Sequence, residues 1–505
     1  MASSSRGRRY LSDNEIAEQI GTSGGMDEDI NDLENLHGEA DYGWQDGAQE
    51  DTEEQQQDVE QEVDSDDSDQ EVEQNVEDND NNDNGPQRKR KKKLKDRLVN
   101  CLQASLDIDN YDSIELPEEN KEASAVLIKK TRNNPATNIT FQNHKSVRVG
   151  RQSAANVIRT EGGVMPSAAD ALTELDCWKL FIDPSILTDI TLRTNVHIDT
   201  LLDNLPPEKI DTIKKKNTYV CHTTEEEILA YFGLMYMRGH FQWNYWELKR
   251  VWSSHPLFSA TMSLHRFWFL NHYLILDDRA SRGERWKVDR FAAAREIYER
   301  WNDNCACALH IGEYCAIDEC QYATRMQVGF KTYNPSKPAK YGLLFKCINE
   351  VVYPFTHRSE AFAGKPKEEG GLFYFKTTEE ITLRLVDKVR QRQDLRGRNL
   401  TTDNLYTSIP LAKKLLDRKM TLVGTMRHNR IGLPKEVKTL DNREEFSTEV
   451  WWEKEGKITF TSYVVKTKSK GKKNIVVLST MEPLLGVTKD DDKFKPAIIK
   501  FYDFR

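Results

Sequence analysis

Apolar positions change their period near residue 312. From about residue 169 to 312 they recur at helical spacing, and beyond it they alternate or run in short blocks between polar turns. In the first stretch Thr223 or Thr224, with Glu226 and Glu227, predicts a capping box. The helix it opens places Leu229, Phe232 and Tyr236 on its buried face. Trp243, Trp246, Trp252, Phe267, Trp268 and Trp301 read as core residues of this helical region, the rival reading being an aromatic stripe that stacks on bases. In the second stretch residues 314–317, 343–349, 351–355, 399–402 and 421–425 predict short strands. Thr377 with Glu380 caps a helix whose Ile381, Leu385 and Val389 share a face, and Pro410 opens another with Leu411 and Leu415. Residues 446–452, 457–465 and 474–478 predict a later strand-rich element, and residues 96–170 read as a linker with little periodicity. Antiparallel-looking strands followed by alternating helix and strand predict an α/β fold with a mixed sheet.

Charge divides the chain differently. Residues 1–85 hold 28 Asp or Glu against 3 Lys or Arg, whereas residues 86–505 hold 54 against 69. The overall charge of −10 therefore hides a basic part behind an acidic one. The acidic stretch, rich in Gln and Asn and poor in aromatics, buries too little apolar surface to offset the entropy of ordering it, so disorder is expected. Ser65 and Ser68 lie among acids there, as sites for an acid-directed kinase do. The run Arg88-Lys89-Arg90-Lys91-Lys92-Lys93-Leu94-Lys95 reads as a nuclear-targeting signal, with counter-charge to the tail as its rival. No apolar signal core opens the chain, and the longest apolar run, 228–237, is short of the roughly 20 residues of a membrane span. A soluble, intracellular, nuclear protein with reduced cysteines is expected. Cys305, Cys307, His310, Cys315 and Cys320 cluster, but their spacing matches no paired zinc pattern, and the reading assigns them no metal.

The candidate chemistry lies at two strand ends. Asp318 follows Cys315-Ala316-Ile317 and Asp403 follows Leu400-Thr401-Thr402, and ligands of an α/β sheet gather outside the carboxyl ends of its strands. Two carboxylates 85 residues apart, each leaving an apolar strand, suit a site for metal-dependent phosphoryl transfer. Such a site clamps the attacking and leaving oxygens between hard cations roughly 4 Å apart. An aspartate after a strand is also an ordinary turn residue, so spacing alone leaves both readings open. Glu319 and Asn404, next door, face away in an extended geometry and read as supporting residues. Asp490, Asp491 and Asp492 read as a solvated loop rather than as a third acid.

These residues resemble the piggyBac transposase family, including its host-domesticated derivatives, over residues 169–505. Ile317-Asp318-Glu319 is similar to the family's first catalytic motif, and Tyr333-Asn334-Pro335-Ser336-Lys337-Pro338-Ala339-Lys340-Tyr341-Gly342 to its Tyr-x-Pro-x-Lys-Pro-x-Lys-Tyr-Gly element. Asp403-Asn404-Leu405-Tyr406-Thr407-Ser408 resembles the second motif, and Gly424-Thr425-Met426-Arg427-His428-Asn429-Arg430 the Gly-Thr-x-Arg-x-Asn-Arg segment. The resemblance implies an RNase H-like core, Mg2+ (or Mn2+) held by three Asp, excision at TTAA sites through DNA hairpins, and action as a homodimer. It gives Asp318 and Asp403 the catalytic and metal-ligand roles. Arg325, Lys331, Lys337, Lys340, Arg427 and Arg430 become candidates for contacts to DNA phosphates. The implied organisation is a tail to 85, a basic run and linker over 86–168, and a helical dimerisation or DNA-binding region over 169–312. The core follows over 313–426, an inserted β element over 427–480 and a final core segment over 481–505.

Three departures qualify the resemblance. Met326-Gln327 follows Arg325 where the family often has Gly-Arg, and no Cys follows Cys347, so the family's Cys-rich zinc module is missing. The family's third Asp lies beyond the segment that Phe501-Tyr502-Asp503 resembles, and the sequence ends at Arg505. The expectation is a transposase-like polypeptide for DNA cleavage and strand transfer, with weak cation binding and no activity as given. The alternative is a domesticated, non-catalytic protein binding DNA or chromatin partners. A nuclease of another class, completed by a carboxylate such as Glu360, is the third.

Overall fold

The computed structural model describes residues 111–116, 120–128, 137–144, 158, 160–203, 210, 218–324, 326, 328–335, 337, 340–364, 377–467, 471–481, 484–488 and 493–504. The expected acidic tail, the basic run, Arg325 and Asp490 to Asp492 lie outside them. Strands are numbered β1 (Tyr111–Asp112), β2 (Glu122–Ile128), β3 (Thr137–Gln142), β4 (Gly163–Val164), β5 (Leu309–His310), β6 (Tyr314–Ala323), β7 (Thr332–Tyr333), β8 (Tyr341–Glu350), β9 (Phe355–Ala361), β10 (Asn399–Thr402), β11 (Thr421–Thr425), β12 (Thr448–Glu453), β13 (Thr459–Thr467), β14 (Gly471–Ser479) and β15 (Val487–Thr488). Helices are α1 (Glu174–Phe181), α2 (Pro184–Asp203), α3 (Glu225–His240), α4 (Leu248–Ser254), α5 (Pro256–Thr261), α6 (Leu264–Tyr273), α7 (Arg279–Val288), α8 (Ala292–Ala308), α9 (Thr378–Arg390), α10 (Ile409–Asp417), α11 (Lys435–Lys438) and α12 (Ala497–Phe504). No helix among the described residues is long and apolar enough to cross a membrane.

The described chain falls into two compact units, one built mainly of residues 191–275 and the other holding the sheet. Of the residues 169–312 read as one helical region, α1, α7 and α8 belong with the sheet. In the helical unit Thr224 is the cap of α3, its hydroxyl accepting from the Glu227 N–H at 3.3 Å. Thr223 instead donates to the Glu227 carboxylate at 2.7 Å. That carboxylate also binds the buried Arg266, which reaches on to the carbonyls of Tyr219, Cys221 and His222. The buried face of α3 is Ile228, Tyr231 and Leu234, and Tyr236 is 63% exposed, so the expected face is rotated by one residue. Trp252 and Phe267 are core as expected, whereas Trp243 and Trp246 are half-buried and stack on each other at 4.8 Å.

In the second unit eleven described strands form one mixed sheet in the order β2-β3-β12-β13-β14-β11-β10-β6-β8-β7, with β9 also pairing β8. Strand β8 pairs antiparallel with both β6 and β9, and β10 and β11 lie parallel to β6 on its other side. This is the RNase H-like arrangement, an antiparallel meander extended by two parallel strands. One face is covered by α9 and α10, whose Ile381, Leu385, Val389, Leu411 and Leu415 pack on Ile317, Leu400 and Leu422. The caps follow the sequence: Thr377 accepts from Glu380 N–H and Ser408 from Leu411 N–H, both at 3.2 Å. The other face receives Ile498 and Ile499 of α12 against Val423, Val477 and Tyr463.

Strand placement differs from expectation in three places. Residues 351–354 form a turn rather than a strand, held by Glu350, whose side chain accepts from the Tyr353 N–H, and β9 begins at Phe355. Within the expected linker β2 and β3 form a hairpin on β12, anchored by Phe141, which is fully buried 5.0 Å from Phe460. The later strand-rich element does not stand apart, because β14 pairs with β11 and continues the core sheet.

Candidate active site

Register brings the two candidate acids together. Thr402 pairs with Ile317 across the parallel strands β10 and β6. Asp403 and Asp318 follow on the same face, on strands roughly 4.8 Å apart. The fit is close because Gly424 stands opposite Thr402 on β11, and a Cβ there would fall 2.6 Å from the Thr402 carbonyl. The loop after β10 then turns sharply. Asp403 Oδ1 accepts from the backbone N–H of Leu405 at 3.0 Å and of Tyr406 at 3.3 Å, while Thr407 Oγ1 donates to the Asp403 carbonyl at 2.6 Å. Asp318 is exposed, and its Oδ1 accepts from the Glu319 N–H at 2.7 Å.

Burial raises the proton affinity of Asp403 above the ordinary carboxylate value, opposed by its two backbone N–H donors and reinforced by the charges of Glu319 and Asp318. Tyr502 of α12 lies within the same field. Its phenol is raised by burial first, with Asp403, Asp503 and Asp318 adding to the effect. Its hydroxyl oxygen accepts from Thr425 Oγ1 at 3.3 Å, which opposes the shift. Asp503 itself is taken by an ion pair with Lys495. Hard oxygen donors suit Mg2+ or Mn2+, and Asp318 and Asp403 supply two. Among the described residues no third His, Cys, Asp or Glu joins them in a group able to hold a metal ion. In the cysteine cluster burial pushes the thiols of Cys305 and Cys315 up to about 12.

The candidate DNA contacts fall into two groups. Lys331, Lys337 and Lys340 lie where β6, β7 and β8 meet, with Lys331 Nζ 5.9 Å from the Tyr341 ring and Tyr341 4.7 Å from Tyr333. Tyr322, Tyr333 and Tyr341 are 62%, 42% and 57% exposed, so cations and aromatic faces alternate on this surface. Gly342 permits the pairing there, since a Cβ would lie 2.5 Å from the Tyr322 carbonyl. Arg427 and Arg430 are placed differently, bracing the Asp403 loop. Arg427 Nε donates to Asn404 Oδ1 at 3.0 Å, and Arg430 donates to the Leu405 and Asn404 carbonyls.

Sequence reasoning passed over Lys346 and Tyr406. Lys346 is buried on β8 with Nζ 3.3 Å from Glu319 Oε1, to which Tyr406 Oη also donates at 3.3 Å. A lysine inside the apolar block Leu343-Leu344-Phe345-Lys346-Cys347-Ile348 was the available signal, because a buried ammonium requires a partner.

Comparison with known proteins agrees with this architecture. The family model described as Transposase IS4 matches residues 173–502. A solved structure of piggyBac transposase, a synaptic complex with hairpin DNA determined by cryo-electron microscopy, superposes with a TM-score of 0.59 at 25% identity, over 68% of each chain. No curated protein matches the chain. A family match over well more than half the chain, carried by a sheet of the same fold, establishes that the chain belongs to the IS4 transposase family, as a transposase of the piggyBac type.

Proposed function

We propose that Asp318 and Asp403 are the cation-binding residues of a site for DNA cleavage and strand transfer at TTAA sequences. The observation that carries the reading is the register of β10 on β6, which sets both carboxylates on one face of the sheet. Transposases of this family use divalent metals. Mg2+ or Mn2+ bound here would neutralise charge at a reacting phosphodiester. The chain's own part is positioning. The Leu405 and Tyr406 N–H groups fix the Asp403 carboxylate, and the Arg427 and Arg430 braces hold the loop that carries it. Lys331, Lys337 and Lys340 would neutralise backbone phosphates while the exposed tyrosines meet unstacked bases. Nuclear import through residues 88–95 and action as a homodimer belong to the same proposal.

A second reading is favoured by one observation: only two carboxylates converge among the described residues. On that reading residues 1–505 bind DNA, and chromatin partners with it, without cutting. Incubation of the chain with a TTAA-flanked hairpin and Mg2+ separates the two. Cleavage that Asp403→Asn abolishes supports the enzyme, and salt-sensitive binding without cleavage supports the binding protein. Cleavage that persists in Asp403→Asn removes the site assignment.

A further inference from the structure

Beneath the acid pair lies a buried polar cluster that links the two strands carrying it. Glu319 of β6 and Lys346 of β8 are register partners, and Lys346 Nζ sits 3.3 Å from Glu319 Oε1 with the side chains 7% and 16% exposed. The same Glu319 oxygen accepts from Tyr406 Oη at 3.3 Å, and Lys346 Nζ lies 5.2 Å from the Tyr406 ring centroid. Tyr406 is 1% exposed and packs with the α9 and α10 core, while its backbone N–H donates to Asp403 Oδ1. A continuous path of contacts therefore runs from Asp318, through the adjoining Glu319, to Tyr406 and on to the Asp403 carboxylate.

Each member is costly to bury alone and is satisfied by the other two. Alternation along β6 turns Glu319 to the helix-covered face, opposite Asp318, and its charge is committed to Lys346 and Tyr406. The Asp403 loop leaves the sheet, and the ring of Tyr406 fastens it back to β6 one residue from Asp318.

We infer that Glu319, acting with Tyr406 and Lys346, is a positioning residue that sets the separation and orientation of Asp318 and Asp403 before a cation arrives. The inference rests on reading those two acids as the cation site. It differs from a role in stability alone, because the cluster then governs cation affinity in variants whose fold is unchanged. Supporting residues around metal ligands typically change affinity by about 10–100-fold.

The test is Mn2+ binding by the full chain, read from the free-ion electron paramagnetic resonance signal beside the metal-free melting temperature. Tyr406→Phe keeps the ring and removes only the hydroxyl. It is expected to leave the metal-free melting temperature within a few degrees of the parent and to weaken Mn2+ binding roughly tenfold. Glu319→Gln is expected to weaken it to a similar extent, and the double variant no further than the worse single one, because one linkage is broken in each. Asp318→Asn, the reference, abolishes binding. The inference is overturned if Tyr406→Phe and Glu319→Gln bind Mn2+ like the parent while Asp318→Asn does not, or if their effects on affinity simply add. If Asp318→Asn binds normally, or the parent binds no Mn2+, the cation site itself falls and the inference with it.

Discussion

Thr402 stands opposite Ile317 in parallel register, and the residues that follow them, Asp403 and Asp318, emerge side by side from neighbouring strands. The 84 intervening residues include β7, β8, β9, α9 and β10, so that two acids distant in sequence share one face. The consequences are electrostatic and steric, and both are measurable.

Without metal, Asp403 is a strained ion. Burial, then the charges of Glu319 and Asp318, raise its folded-state proton affinity above the ordinary value of 3.8. The folded chain thus binds more protons than the unfolded one between that value and the folded-state pKa, so this group's contribution to stability falls as pH rises through the window. Asp403→Asn keeps an oxygen for the Leu405 and Tyr406 N–H groups and removes the charge. It should raise the metal-free melting temperature at pH 7, by on the order of 2 °C. The gain should shrink as pH falls from 7 into that window, where the parent carboxyl takes up its proton. An equal gain at both pH values, or a loss at pH 7, contradicts the assignment of strain to the ionised form.

Gly424 is expected to tolerate no side chain. A Cβ would press on Thr407 Oγ1 and come within 2.5 Å of Thr402 Oγ1 and 2.6 Å of the Thr402 carbonyl, a backbone atom that cannot swing aside. Gly424→Ala should cost about 1–3 kcal/mol in urea unfolding. The opposite sign is expected at Gly233, inside α3, where a Cβ meets nothing within 4 Å. Gly233→Ala should stabilise by about 0.5–1 kcal/mol. If the two alanines behave alike, the close approach of β11 to the Asp403 loop is not what constrains Gly424.

The lysine and tyrosine surface where β7 meets β8 predicts a salt-dependent DNA affinity. Lys337→Ala and Lys340→Ala should each weaken binding regardless of sequence and reduce the slope of log affinity against log salt by roughly 1. Arg427→Ala should act otherwise, because Arg427 Nε donates to Asn404 Oδ1: the expected effect is a loosened Asp403 loop, seen as faster amide exchange at Leu405 and Tyr406. Unchanged salt slopes in both lysine variants would remove this surface from the DNA path.

Much of the core was legible because local and global preferences coincide there. Residues 399–402 and 421–425 are strands with those limits, and Thr377 caps α9 with Ile381, Leu385 and Val389 buried, as their spacing demands. The hairpin β2–β3 escaped because few of its apolar positions are buried, Ala123, Ile139 and Phe141, and its pairing is completed only on β12. On α3 a continuous apolar run fits two faces equally well, and the Arg266–Glu227 ion pair within the helical unit accompanies the one that is buried. Asp318 and Asp403 were legible as strand-end acids. Their braces were not, since Tyr406 reaches Glu319 across 87 positions and Lys346 reaches it only through strand register.

The central claim is that Asp318 and Asp403 form one cation site, and the melting temperature of the full chain against Mg2+ tests it most directly. The parent should gain stability only at millimolar Mg2+, as the two carboxylates that meet among the described residues would bind it. Asp318→Asn and Asp403→Asn should each abolish the gain, and the double variant should match either one. Retention of the Mg2+-dependent rise in either single variant would contradict a shared site.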